Sequence, residues 1–260
     1  MLKLKGKACF LMAASIAVLL TTATLNHWRT SSSNCGLPQI ILWAWERPEK
    51  LDFINPREVG VAYLARTIYL RGEKVITRPR FQPLSVPRET ALIAVVRIES
   101  DSNELPALSD TQREEAVRAI KEAARRDGVM ALQVDFDAKQ SERAFYRALL
   151  FDLRRQLPQN ISLTITALAS WCIYDNWLRD LPIDDAVPML FRLGVDERQV
   201  SAYLSQTGAL RARECQQSLG ISTDEPRRSL PTGRRVYLFS PQPWTQTSAN
   251  KIIREVKAWP

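Results

Sequence analysis

The sequence predicts an α/β fold, an irregular (β/α)8 TIM-like barrel behind an N-terminal hydrophobic segment, and three observations carry that expectation. Eight short apolar runs rich in β-branched residues recur along the chain. Several are followed by helical patterns, and strand alternating with helix requires parallel strands joined by crossovers. Eight such units in one chain of 260 residues is the count at which a parallel sheet closes on itself. Hydrophobic residues make up 45% and charged residues 25%, enough to bury a sizeable core.

Residues 1–34 read as a targeting segment. Lys3, Lys5 and Lys7 precede an apolar run over 8–25, and a serine-bearing polar linker follows over 26–34. A run of that length stands between a signal-peptide core and a short membrane span. A cleaved signal, with Thr21-Thr22-Ala23 as its small-residue site, and an uncleaved membrane anchor both fit. Cys35 follows Ser32-Ser33-Asn34, without the apolar residue that a lipoprotein signal places there, so no lipid anchor is expected. Residues 35–260 are then expected to be a barrel that is exported, either periplasmic or anchored to a bacterial inner membrane.

Within that barrel, strands are expected over 40–45, 59–64, 91–98, 131–137, 163–171, 186–191, 218–223 and 236–239. The clearest helix starts at Ser109, with Gln112 three residues on as a capping box. It carries Ala116, Val117, Ile120 and Ala123 on one face and ends at Gly128. A second spans 141–156, with Phe145, Leu149 and Leu153 in register, and stops before Pro158. Residues 196–206 and 247–259 supply two more. The order breaks after the second strand, where 67–86 holds Arg71-Gly72-Glu73 between two β-rich runs and reads as a hairpin insertion in place of a helix. Connections 47–54 and 174–180 have room only for a short helix.

Composition removes several kinds of chemistry. Net charge is +8, but Lys3, Lys5, Lys7 and Arg29 in the first segment account for half of it, leaving 32 basic against 28 acidic residues in the barrel. No compact basic run is interleaved with aromatics, so no nucleic-acid partner is expected. The single histidine, His27, lies in the targeting segment, which denies the barrel a Ser-His-Asp triad, a Cys-His pair or a histidine-ligated zinc. Acid–base work falls to carboxylates. Beyond residue 34, Cys35, Cys172 and Cys215 allow one bridge at most; Cys35 and Cys215 both precede strands and are the expected pair, leaving Cys172 unpaired.

The most informative stretch is Gln133-Val134-Asp135-Phe136-Asp137. In a strand, Leu132, Val134 and Phe136 share one face and Gln133, Asp135 and Asp137 the other. An acidic face needs a wet cleft or a charged partner, since an unpaired buried carboxylate is strongly disfavoured. Functional groups of such barrels gather at the C-terminal strand ends. Those ends bring Trp45, Glu46, Arg97, Glu99, Asp135, Asp137, Trp171, Asp224, Glu225 and Trp244 toward one rim. Carboxylates to move protons and indoles to stack on sugar faces are what a glycosidase cleft requires.

Asp137 is the first candidate for general acid, its pKa raised by burial and by the like charge of Asp135. Glu225 is the candidate opposing nucleophile or base, with Asp224 and Glu99 as rivals. Trp45, Glu46, Arg97, Gln133, Trp171 and Trp244 are the candidate substrate contacts. The competing reading pairs Asp135 with Arg97 across neighbouring strands and makes the tryptophans packing residues. A metal held by Asp135 and Asp137 would need further ligands from Glu99 or Asp224, so no metal or other cofactor is expected.

Six ordered runs also carry a resemblance: Trp43-Ala44-Trp45-Glu46-Arg47-Pro48, Val95-Val96-Arg97-Ile98-Glu99, Val134-Asp135-Phe136-Asp137-Ala138, Leu168-Ala169-Ser170-Trp171-Cys172, Pro188-Met189-Leu190-Phe191-Arg192 and Thr223-Asp224-Glu225-Pro226. They resemble the bacterial family catalogued as domain of unknown function 3142, which implies a glycosidase-like barrel and no assigned activity. More distantly, Gln133, Asp135 and Asp137 are similar to the Asp-x-Asp-x-Glu signature of chitinase-like hydrolases. Here an amide replaces the first acid, and an Asp one methylene shorter stands where the proton-donating Glu belongs. The expectation is a glycoside-hydrolase-like protein acting on envelope or extracellular polysaccharide. Its alternatives are an inactive barrel binding glycan or an envelope partner, and a metal-dependent esterase or deacetylase.

Overall fold

Eight parallel strands close into a barrel in a computed structural model that describes residues 36–225 and 230–259. The expectations for residues 1–34, among them the 8–25 apolar run and His27, lie outside the described residues, as does Cys35. Among the described residues no helix is long and apolar enough to cross a membrane.

The barrel strands are β1 (Ile40–Ala44), β3 (Val59–Arg71), β6 (Leu92–Ser100), β7 (Val129–Asp135), β8 (Ser162–Leu168), β9 (Asp185–Met189), β10 (Ser218–Ser222) and β11 (Arg235–Phe239). They follow that order around the wall, and β1 pairs with both β11 and β3 to close it. Every expected strand is present. The fifth is shorter than expected: β8 stops at Leu168, and the chain turns into a helix that contains Trp171.

Two layers form because successive side chains alternate. Ile41, Trp43, Ile93, Val95, Ala131, Val187, Tyr237 and Phe239 fill the interior. Leu42, Val61, Ala94, Leu132, Val134, Ile165, Ala186 and Leu238 pack outward, sharing a larger cluster with helix residues. The helices are α1 (Asp110–Ala123), α2 (Arg143–Gln156), α3 (Ala169–Ile173), α4 (Glu197–Thr207) and α5 (Gln246–Lys257).

The hairpin insertion is as expected. β3 runs past the barrel and folds back through Gly72, at φ +50°, onto antiparallel β4 (Lys74–Pro79). Connection 47–54 has no helix; β2 (Glu49–Lys50) pairs there with β5 (Leu84–Ser85).

Two expectations are corrected. Ser109 does cap α1, accepting from Gln112 N at 3.2 Å, but the Gln112 side chain does not complete a box. It is wholly buried, donates to Gly72 O and Lys74 O, and accepts from Leu108 N, pinning the hairpin to the helix start. The disulfide joins Cys172 to Cys215, not Cys35 to Cys215. Helix α3 turns the chain back outside the barrel, and Arg211 and Ala212 donate their N–H groups to Cys172 O, so the segment leading to Cys215 lies against Cys172.

Candidate active site

The C-terminal end of β7 places two acids on the barrel mouth. Asp135 is the last strand residue and 6% exposed; Asp137, two residues on, is exposed at the rim. Register sets Arg97 of β6 beside Asp135, with its guanidinium 3.8 Å away. Thr166 of β8 donates to Asp135 Oδ1 at 2.6 Å. Arg97 Nε also donates to Glu99 at 2.7 Å. The Arg97–Asp135 pair of the competing reading is therefore present, and it borders an open cavity.

That cavity, about 270 Å³, is lined by Asp135, Asp137, Arg97 and Thr166 on one side and by Trp43, Trp45, Phe191 and Phe239 on the other. Ser170, Met189, Arg192 and Asp196 complete much of its wall. A second cavity of about 250 Å³ shares Arg97, Asp135 and Asp137 and adds Glu99, Lys139 and Glu142. Arg97, Asp135 and Asp137 thus line both hollows. Phe239 stacks on Trp43, with centroids 4.4 Å apart, and Phe191 meets Phe239 at 4.6 Å. Gly220 makes room for them: a Cβ there would meet Phe239 at 3.0 Å and Phe191 at 3.7 Å.

Burial pushes the carboxyls of both Asp135 and Asp137 above their ordinary range. For Asp135 the Thr166 hydroxyl and Arg97 oppose that rise, while Asp137 and Glu99 add to it. For Asp137 the opposing influence is Arg97, and the expected push from Asp135 acts instead on Asp135 itself through Asp137. Thr166 and Arg97 offset part of the rise at Asp135. Asp137 accepts no hydrogen bond from a described residue, and Arg97 alone opposes the rise of its carboxyl.

Several expected site residues lie elsewhere. Trp171 is buried, edge-on to Trp177 with centroids at 4.9 Å, and Arg143 sits over both rings. Trp244 is also buried and donates its indole N–H to Trp43 O at 2.9 Å. Both are packing residues because their segments fold onto the barrel's outer layer. Gln133 is wholly buried inside the barrel, below the cavity. Glu46 is paired with Arg78 of the hairpin.

Asp224 accepts from Ser222 and faces Arg192 at 3.6 Å; the Ser222 bond holds its carboxyl below the ordinary range. Glu225 accepts from Arg192 N at 2.8 Å and does not line either cavity. The expected opposing acid is thus turned to lacing two rim loops together. Among the described residues no three acidic, cysteine or histidine side chains gather as metal ligands, so Glu99 and Asp224 do not supply what the metal reading needed.

One acid on the cavity wall was not anticipated. Asp196 follows β9 and lies at the start of α4, a position that reads as an N-cap, yet its side chain makes no cap hydrogen bond. The only sequence signal was an acid soon after a strand end.

The fold is a TIM-like barrel of parallel strands with carboxylates and aromatics at the strand C-termini. The family model described as "Domain of unknown function (DUF3142)" matches residues 88–182, which carry Arg97, Asp135, Asp137 and Thr166. The resemblance read from the motifs is borne out over that span. Among solved structures, a protein assigned as chitinase A from Streptomyces coelicolor is similar over 86% of this chain and 98% of its own, with a TM-score of 0.56 and 11% identity. The spore cortex-lytic enzyme SleL of Bacillus cereus is similar over 73% of this chain and 54% of its own, with a TM-score of 0.47 and 14% identity. No curated protein matches the chain.

Proposed function

We propose that this protein is an exported glycoside hydrolase that cleaves a polysaccharide of the envelope or surroundings, with Asp137 as proton donor. One observation carries the reading: Asp137 opens onto an aromatic-walled cavity, its carboxyl raised above the ordinary range, beside an Asp135 that Arg97 and Thr166 hold in place. A carboxylic acid whose pKa is raised holds its proton to higher pH than an ordinary carboxyl and can protonate a departing glycosidic oxygen. Trp45 and Phe191, partly exposed on the cavity wall, offer apolar faces for sugar rings. The fold shared with the Streptomyces protein supports the choice of chemistry by analogy.

Export is supported by the lysine-led apolar run of residues 1–34 and by the Cys172–Cys215 disulfide, since such bonds persist in oxidising compartments. Residues 1–34 then serve as signal or anchor, and 35–260 as the barrel.

The test is release of reducing ends from chitin, peptidoglycan and other envelope glycans by wild-type protein and by Asp137→Asn. The expected result is turnover that falls by about 10²–10⁴-fold in the variant while glycan binding persists. Glycan binding without turnover by the wild type would replace this reading with the binding-only barrel, which the diversion of Glu225 to Arg192 N favours.

A further inference from the structure

We propose that Asp196 is the second catalytic carboxylate, the base that activates water for an inverting hydrolysis; the inference rests on the hydrolase reading above. Asp196 lines the same cavity as Asp135 and Asp137, and its carboxylate has no hydrogen-bond or ion-pair partner among the described residues. Asp196 ends a 3-10 turn over 194–196 that runs straight into α4, and its helical backbone leaves the side chain free of a cap hydrogen bond. A carboxylate on a cavity wall that neither caps nor pairs is available to a ligand.

Its place in the fold separates it from Asp137. β7 and β9 are divided by β8 alone, so their axes are roughly 10 Å apart. An acid from the loop after β9 therefore approaches the cavity from across the mouth of β8. The inverting step requires the two carboxyls to stand about 6.5–9.5 Å apart with a water between them, against the roughly 5 Å of a direct nucleophile. A second observation points to a polar ligand in this hollow. Trp43 is wholly buried on the cavity wall, and its indole N–H finds no acceptor among the described residues. A buried donor of that kind calls for an oxygen brought by ligand or water.

In the step itself, the bond between the anomeric carbon and the glycosidic oxygen breaks as Asp137 gives its proton to that oxygen. A water oxygen bonds to the anomeric carbon from the opposite face, and Asp196 takes the proton the water loses. The products are two sugar ends, Asp137 ionised and Asp196 protonated; exchange with solvent restores both.

The experiment uses a full-chain preparation and the glycan found to be hydrolysed in the screen, with anomer formation followed by proton NMR. Inverted product, and kcat reduced at least ~100-fold in Asp196→Asn with thermal unfolding unchanged, are expected. Added azide should restore turnover in Asp196→Ala and yield a glycosyl azide of inverted configuration. Retained configuration, or an Asp196→Asn variant with wild-type kcat, overturns the role of Asp196 and leaves the hydrolase reading standing. A wild-type protein that hydrolyses none of the glycans overturns both.

Discussion

Thr166 sets the charge state on which Asp135 depends. Its hydroxyl is the strongest influence holding the buried carboxyl down against desolvation. Thr166→Val keeps the shape and removes the donor, so the Asp135 pKa rises further. A hydrogen bond to an ionised group is worth about 1.5–3 kcal/mol, hence the acid limb of a kcat/KM profile should move up by on the order of one pH unit. A limb that stays in place would detach Asp135 from catalysis. At the opposite end of the barrel, Asp185 at the start of β9 is pushed up to about 6 by burial, against the Ser218 hydroxyl and Arg235. The folded state holds that proton more tightly than the unfolded chain, whose carboxyl titrates near 3.8. Stability from this group is therefore fully present below about pH 4 and lost as pH rises through about 6, a change of about 3 kcal/mol. Urea unfolding at pH 4 and pH 7 should show that loss in the wild type and not in Asp185→Asn. The alternation in 133–137 made the acids on β7 legible, because period two is a local pattern. Asp196 was hidden because an acid at a helix start has an ordinary local explanation, and only the folded chain shows that it does not cap.

Strands and helices were readable where a boundary residue states its reason. Ser109 starts α1, and Gly72 takes the positive φ of the hairpin turn. What those signals omit is the tertiary use of the same side chains. Gln112 has the spacing of a capping box, yet its amide bonds to two hairpin carbonyls 38 and 40 positions away. Gln112→Ala should leave those carbonyls and Leu108 N unsatisfied and lower stability by roughly 2–3 kcal/mol in denaturant titration. A smaller loss with a slack hairpin would show that water replaces the amide. The cysteine pairing was misread for a related reason. Position before or after a strand does not fix the barrel end, because α3 carries Cys172 back along the outside. The bridge spans 43 positions, for which loop-closure entropy gives about 4 kcal/mol. Cys172→Ala with Cys215→Ala should unfold at correspondingly lower denaturant, and a reducing agent should destabilise the wild type but not this variant.

Closure of the whole barrel was legible from the number of strands, but not the uneven strength of its seams. β3 and β6 share nine register pairs, interrupted only by the irregularity between Leu64 and Arg66. β9 and β10 share a single pair, Gly220 with Met189. The weak seam also lies beside the cavity, since Met189 and Phe191 line it and Gly220 makes room for its aromatics. On the other side, β1 is held to both neighbours, and Arg47 donates to Ser240 O, Pro241 O and Gln242 O, bracing the first strand's loop against the last. Cooperative barrels open where ladder bonds are fewest. Native-state hydrogen exchange should therefore find the amides of β9 and β10 exchanging before those of β3 and β6, through local opening that does not require global unfolding. A bound glycan bridging Asp137 and the loop after β9 would slow exchange at β9 selectively, because it ties that loop to β7. Uniform protection across all eight strands, or a ligand effect confined to β6 and β7, would show that the β9 side of the mouth takes no part in binding.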